Sequence, residues 1–275
     1  LPMPQQWMRR FDEMRKANLE WGLCGGMENH HHGFYPSIIS KISNHAFLEP
    51  FEPMEYIFTK LLSSEYGEEN LEKVKEGFDF WSKAISHYTP SEGDFCGAGR
   101  IGPAYPFCLF YQAKPPRDES AFFGIDIFLT NYATGMEHPS FISAPPRENF
   151  LSMRIGPELR SLKMMHSLMQ KGIEVFETVE NKNEKLLSVI NLGKYIGRCV
   201  LTNIHAKQWY MLKCKLYAEE KREELLKIVS NMEKILYAEI ENAKAALPLV
   251  DADSRLGWEP TMNYLGGREH IEGKI

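Results

Sequence analysis

Apolar residues recur along this chain at two spacings, and the switches between them set the expected architecture. Residues 4–19 carry Trp7, Phe11, Met14 and Leu19 three to five positions apart, which predicts an amphipathic helix. Pro4 suits its first turn, where a missing backbone N–H has no intrahelical partner to lose. The run 23–27 is short, small and apolar, and predicts a buried strand over 22–28. Helical spacing returns at 37–47 (Ile38, Ile39, Ile42, Phe47), at 53–66 (Met54, Ile57, Phe58, Leu61, Leu62) and at 69–88 (Leu71, Val74, Phe78, Trp81, Ile85), with Gly67 as a stop. Helix, strand, loop, helix is the rhythm of a (β/α) unit.

Glycine, proline and aromatic residues then crowd residues 89–157, where only 107–111 and 121–129 read as strands. An irregular stretch of that length, rich in rings, points to a functional region. From Glu158 onward three apolar stripes follow at helical spacing: Leu159 to Val179, Leu187 to Leu216, and Leu225 to Leu247. The candidate turns lie at 181–183 and 219–224, and Pro248 is expected to end the last helix. The expected fold is therefore an α/β partial (β/α) barrel followed by an all-α helical bundle, predominantly helical overall. Its parts are the C-terminal part of a barrel over 1–111, a loop-rich insertion over 112–157, a three-helix bundle over 158–250 and a tail over 251–275.

Composition narrows the function classes. A net charge of −5 leaves no basic face for nucleic acid, and no apolar run approaches a membrane span. The five cysteines (Cys24, Cys96, Cys108, Cys199, Cys214) are odd in number and lack CxxC spacing, so reduced thiols and a cytoplasmic location are expected. The chain opens in mid-pattern on Leu-Pro-Met-Pro, which reads as the later part of a longer polypeptide.

Reactive side chains concentrate just after the expected strand: Glu28, His30, His31 and His32, then Phe34 and Tyr35. Chemistry collects where strands of parallel α/β folds end, because the loops there are free of sheet packing yet held by a scaffold. Glu28 beside rings is a candidate acid–base carboxylate, since an apolar setting raises a carboxyl pKa. Glycoside cleavage needs a second carboxylate, and Asp94, Asp126, Asp251, Asp253 and Glu259 are open candidates. Glu28, His30 and His32 would share one face of an extended segment, so a divalent metal is an alternative. Arg100, Tyr105, Tyr35 and the histidines offer donors and flat faces suited to sugar rings, as do Asp253, Arg255 and Trp258 in the tail. No GxGxxG, P-loop or GxSxG pattern is present, and no cofactor is expected.

Five segments carry a family resemblance: PQQWMRRF at 4–11, ENHHHGFYPS at 28–37, Tyr66-Gly67 with the helix to Trp81, GPAYP at 102–106 and DADSRLGWEP at 251–260. Together they resemble the C-terminal portion of bacterial glycoside-hydrolase-like (β/α)8 barrel proteins with a C-terminal helical domain, such as α-glucuronidases. The resemblance implies the last strands of a barrel, then a helical domain whose terminal segment returns towards a sugar site. It also implies an oligosaccharide substrate and hydrolysis by carboxylates. The alternatives are a non-catalytic carbohydrate-binding or scaffold protein, and a metal-dependent hydrolase using Glu28, His30 and His32.

Overall fold

The computed structural model describes residues 2–25, 37–88, 102–104, 107, 150–256 and 266–275. These residues are 83% helical and include no strand. The helices are α1 (Pro4–Trp21), α2 (Ile38–Ala46), α3 (Met54–Tyr66), α4 (Leu71–Ala84), α5 (Phe150–Glu177), α6 (Glu184–Ala218), α7 (Arg222–Ala252) and α8 (Arg268–Lys274). Short 3-10 turns sit at Glu68–Asn70, Ile85–His87 and Ser254–Leu256.

The partial (β/α) barrel, and with it any TIM-barrel description, is overturned among the described residues. Helix α1 runs on to Trp21 and stops at Gly22, which takes a left-handed φ of 70° that glycine adopts without strain. Leu23, Cys24 and Gly25 follow in non-strand backbone and are exposed. A strand needs a neighbouring strand to satisfy its backbone, and a three-residue exposed stretch after a helix cap has none. The rest of that expected strand, and those at 107–111 and 121–129 apart from Phe107, lie outside the described residues.

The chain divides into two compact units: Leu1–Ser86 with Leu168–Gly193, and His87–Ser167 with Lys194–Ile275. Helices α5 and α6 each contribute residues to both.

In the first unit the local codes are plain. Ser37 and Ser40 cap α2 reciprocally, each hydroxyl accepting from the other's backbone N–H at 3.3 and 2.9 Å. Asn183 caps α6 by accepting from the Leu186 N–H at 2.9 Å. The core is aromatic. Phe78 meets Phe176 edge-on at 5.3 Å and Trp81 at 6.0 Å, and Phe58 and Tyr66 complete the cluster. Trp81 is fully buried, and its indole N–H donates to the Met169 carbonyl at 3.1 Å. It lies against Gly172 of α5 and Gly193 of α6, where an added Cβ would overlap the ring. Gly77 leaves the same kind of room for Phe176, whose Cε2 would stand 2.6 Å from a Cβ there. Large rings are accommodated here because glycines face them.

Arg15 is the one charged residue among those buried in this unit's described part. Its Nε donates to the Ala46 carbonyl at 2.5 Å and its Nη1 to the Glu52 carbonyl at 2.8 Å, with the guanidinium over the Phe51 ring. It thereby ties α1 to the link between α2 and α3.

The second unit contains the N-terminal part of α5, most of α6, and α7 and α8. Helix α7 continues through Pro248 to Ala252, so the proline does not end it. Pro248 is exposed, and the carbonyl deprived of its donor can be solvated there. Helix α5 likewise starts before Pro157, which is also exposed. Among the described residues no helix is long and apolar enough to cross a membrane.

Candidate functional site

The second unit buries a cluster of polar and charged side chains centred on Glu239. Helix α6 presents Arg198, Thr202 and His205 at spacings of four and three, and α7 presents Glu239 and Asn242 three apart, so each set shares a helix face. Glu239 is 2% exposed. Its Oε1 accepts from the Thr202 hydroxyl at 2.7 Å and from Lys274 Nζ at 2.5 Å. Its Oε2 accepts from His205 Nδ1 at 2.6 Å and from Asn242 Nδ2 at 3.4 Å. An ionised carboxylate only accepts, so the His205 Nδ1 carries the proton in this contact. Asn242 Nδ2 also donates to the Thr202 hydroxyl at 2.9 Å and to the Arg198 carbonyl at 3.1 Å, linking the cluster into a network.

Lys274 brings α8, the 102–104 turn and Phe107 into this cluster. Its ammonium donates to Glu239 and, at 2.7 Å, to the Pro103 carbonyl, and it stands 5.1 Å from the Phe107 ring centroid. Phe107 in turn packs on Trp209 of α6 at 5.8 Å. Gly102, Pro103 and Ala104 are buried. At the other end of α8, Arg268 pairs with Asp251 and Glu272. A second buried pair joins Lys207 of α6 to Glu158 of α5 at 2.7 Å.

Electrostatics follow from burial and pairing. Burial works to raise the Glu239 carboxyl pKa, but the Lys274 charge and the hydrogen bonds from His205 and Lys274 outweigh it, so the group sits below the usual carboxylate range. Burial lowers the Lys274 pKa from its ordinary value, with Glu239 opposing. Burial also lowers that of His166, helped by the charges of Arg198 and His205, and pushes the Cys199 thiol up to about 12. A carboxylate with four donors and a depressed pKa is suited to holding helices together. It is poorly suited to delivering a proton, which needs a raised pKa.

The residues expected from sequence divide into two groups. Glu28, His30, His31, His32, Tyr35, Arg100, Tyr105 and Trp258 lie outside the described residues, as do Asp94, Asp126 and Glu259. Asp253 and Arg255 are described, in the turn after α7. Arg255 Nε and Nη2 each donate to the Asp253 carboxylate at 2.7 Å, and the Arg255 N–H caps it at 3.0 Å. These hydrogen bonds from Arg255 hold the Asp253 pKa below its ordinary value. Asp251 is engaged by Arg268. Among the described residues no group of three or more His, Cys, Asp or Glu side chains is arranged to hold a metal.

The Glu239 cluster was absent from the sequence expectations. Its signal is the polar residues at helical spacing inside otherwise apolar stripes: Thr202 and His205 between Val200, Ile204 and Trp209, and Glu239 and Asn242 between Ile235 and Ala243. Such a signal marks polar positions facing a core but does not say what they meet. No family model, no curated protein and no solved structure matches the chain.

Proposed function

We propose that this chain is the carbohydrate-engaging helical part of a longer glycoside-hydrolase-like protein. The reading rests on the motif resemblance, and one observation supports it beyond the motifs. Helix α8 is bonded to two of the motif-bearing segments at once, through Lys274 to Pro103 of GPAYP and through Arg268 to Asp251 of DADSRLGWEP. Two segments far apart in sequence, one carrying Tyr105 and the other Asp253, Arg255 and Trp258, are thus each bonded to one short helix. That is what a terminal segment returning towards a sugar site would do. Cys24 and Cys199 are thiols, which supports a reducing compartment, and the proposal carries a cytoplasmic location with it.

A calorimetric titration with a panel of neutral and uronic-acid-containing oligosaccharides, run beside a reducing-end assay, tests the proposal. Binding without release of reducing ends identifies a binding module. Release that falls at least about 100-fold in Glu28→Gln identifies a hydrolase with Glu28 as its acid–base group. The absence of any binding across the panel overturns the proposal.

A further inference from the structure

We infer that α8 is a strap whose seating sets the position of the 102–104 turn and of Phe107, with Lys274 as the positioning residue that couples them. Three observations carry this. Helix α8 spans seven residues, too few to be helical in water unaided, so its helicity depends on docking. Docking is built from a fully buried Ile271, the Arg268 pair with Asp251, and a Lys274 side chain that is 9% exposed. The same Lys274 ammonium bonds both the frame of α6 and α7, through Glu239, and the turn itself, through the Pro103 carbonyl.

The geometry makes the coupling physical. Glu239 is fixed by donors from α6 and from its own helix α7, so it cannot follow Lys274 outward. Withdrawal of α8 would leave a buried carboxylate without its cation and would strip the Pro103 carbonyl of its donor. It would also remove the charge lying over Phe107, whose ring rests on Trp209. The turn and the strap therefore gain or lose order together. The consequence for ligands rests on the carbohydrate reading: oligosaccharide affinity at this turn would depend on α8 being seated.

Hydrogen exchange on the full chain tests the coupling without any ligand. Ile271→Ala loosens α8 without touching the ion cluster, and Lys274→Met cuts the link directly. In both variants, peptides covering 266–275 and 102–107 should exchange at least about tenfold faster, while peptides covering 54–84 keep the parent rate. If Lys274→Met fails to fold, the milder Ile271→Val should show the same paired change at smaller size. Faster exchange in 266–275 with unchanged exchange in the 102–107 peptide overturns the coupling, as does an α8 indifferent to Ile271→Ala. Titration of Ile271→Ala with the oligosaccharide panel then separates the two claims. Paired exchange with no binding by the parent chain sinks the carbohydrate reading alone. Binding by the parent that is undiminished in the loosened variant sinks the role of the strap.

Discussion

The two units solve the same problem, burying helix faces, with opposite materials. The first builds its centre from rings set against glycines: Trp81 between Gly172 and Gly193, and Phe176 against Gly77. Among the described residues its buried polar side chains are Arg15, Asn70 and Ser82. The second buries Glu158, Thr202, Asn203, His205, Lys207, Lys213, Glu239 and Asn242 among its helices. Ring-on-glycine packing derives from shape and dispersion, and is indifferent to pH. A buried ionic network derives its stability from complete pairing, so its loss is abrupt when one partner goes. The contrast teaches that a helical chain can hold one part by fit and another by charge, and that the second kind can respond to what surrounds it.

The heaviest losses should come from removing the central ring of the first unit and the cation that pairs the central carboxylate of the second. Trp81→Ala leaves a cavity and should cost about 3–5 kcal/mol, read by denaturant unfolding. Lys274→Met leaves Glu239 buried without its cation and should cost a similar 3–5 kcal/mol, roughly, in the second unit. The two should differ in character: the Trp81 loss should be constant between pH 5 and pH 8, roughly, while the Lys274 loss should shrink in acid as Glu239 takes up a proton. Equal pH profiles for both variants would erase the distinction between the units.

Next in size are the glycines. Gly172→Ala and Gly193→Ala place a methyl into the Trp81 ring and should cost about 1–3 kcal/mol despite the better helix propensity of alanine. Gly156→Ala is the control, because the nearest atom to its added Cβ is the flexible Arg160 Nη1 at 4.0 Å. That substitution should stabilise by up to about 1 kcal/mol, which thermal melts can read.

A smaller effect concerns acid. Folding holds the Glu239 pKa below its ordinary 4.5, so the unfolded chain takes up the proton first as pH falls. Stability from Glu239 is therefore fully present above about 4.5 and is lost progressively below it. The charged and titratable groups that act on it are His205 on α6 and Lys274 on α8, with Cys199 of α6 coupled to it, while Arg198 bonds the neighbouring Asn242 and, with His205, acts on His166 of α5. Glu65 in the first unit is also lowered, burial opposing and Lys185 and Lys41 prevailing, but it is more exposed and its share should be less. Glu239→Gln should flatten the acid limb for peptides of α6 and α7 while leaving that of α3 and α4 unchanged, as hydrogen exchange at graded pH would report.

Least of all should come from the surface. The exposed pair of Lys244 with Glu241 should be worth less than about 0.5 kcal/mol, and Lys244→Ala should leave the melting curve nearly unmoved. A large effect there would mean that charge matters on the outside of α7 as much as within.

Helix positions were legible along the chain because the helical period is a local property. The stripes that begin at Trp7, Ile38, Met54 and Leu71 mark α1 to α4, and the later three mark α5 to α7. Local codes misled where two structures share one signature. A short apolar run with glycines reads as a strand, yet Gly22 is a helix stop and Leu23 to Gly25 face water. Pro248 reads as a terminator, yet it lies inside α7 on an exposed side. The Glu239 cluster was beyond reach for another reason. His205 and Glu239 are 34 residues apart, and Lys274 and Pro103 are 171 apart. Periodicity reveals which face of a helix turns inward, since that depends on neighbours three and four residues away. Which inward-facing acid meets which inward-facing base depends on how the helices pack, and no local pattern encodes that pairing.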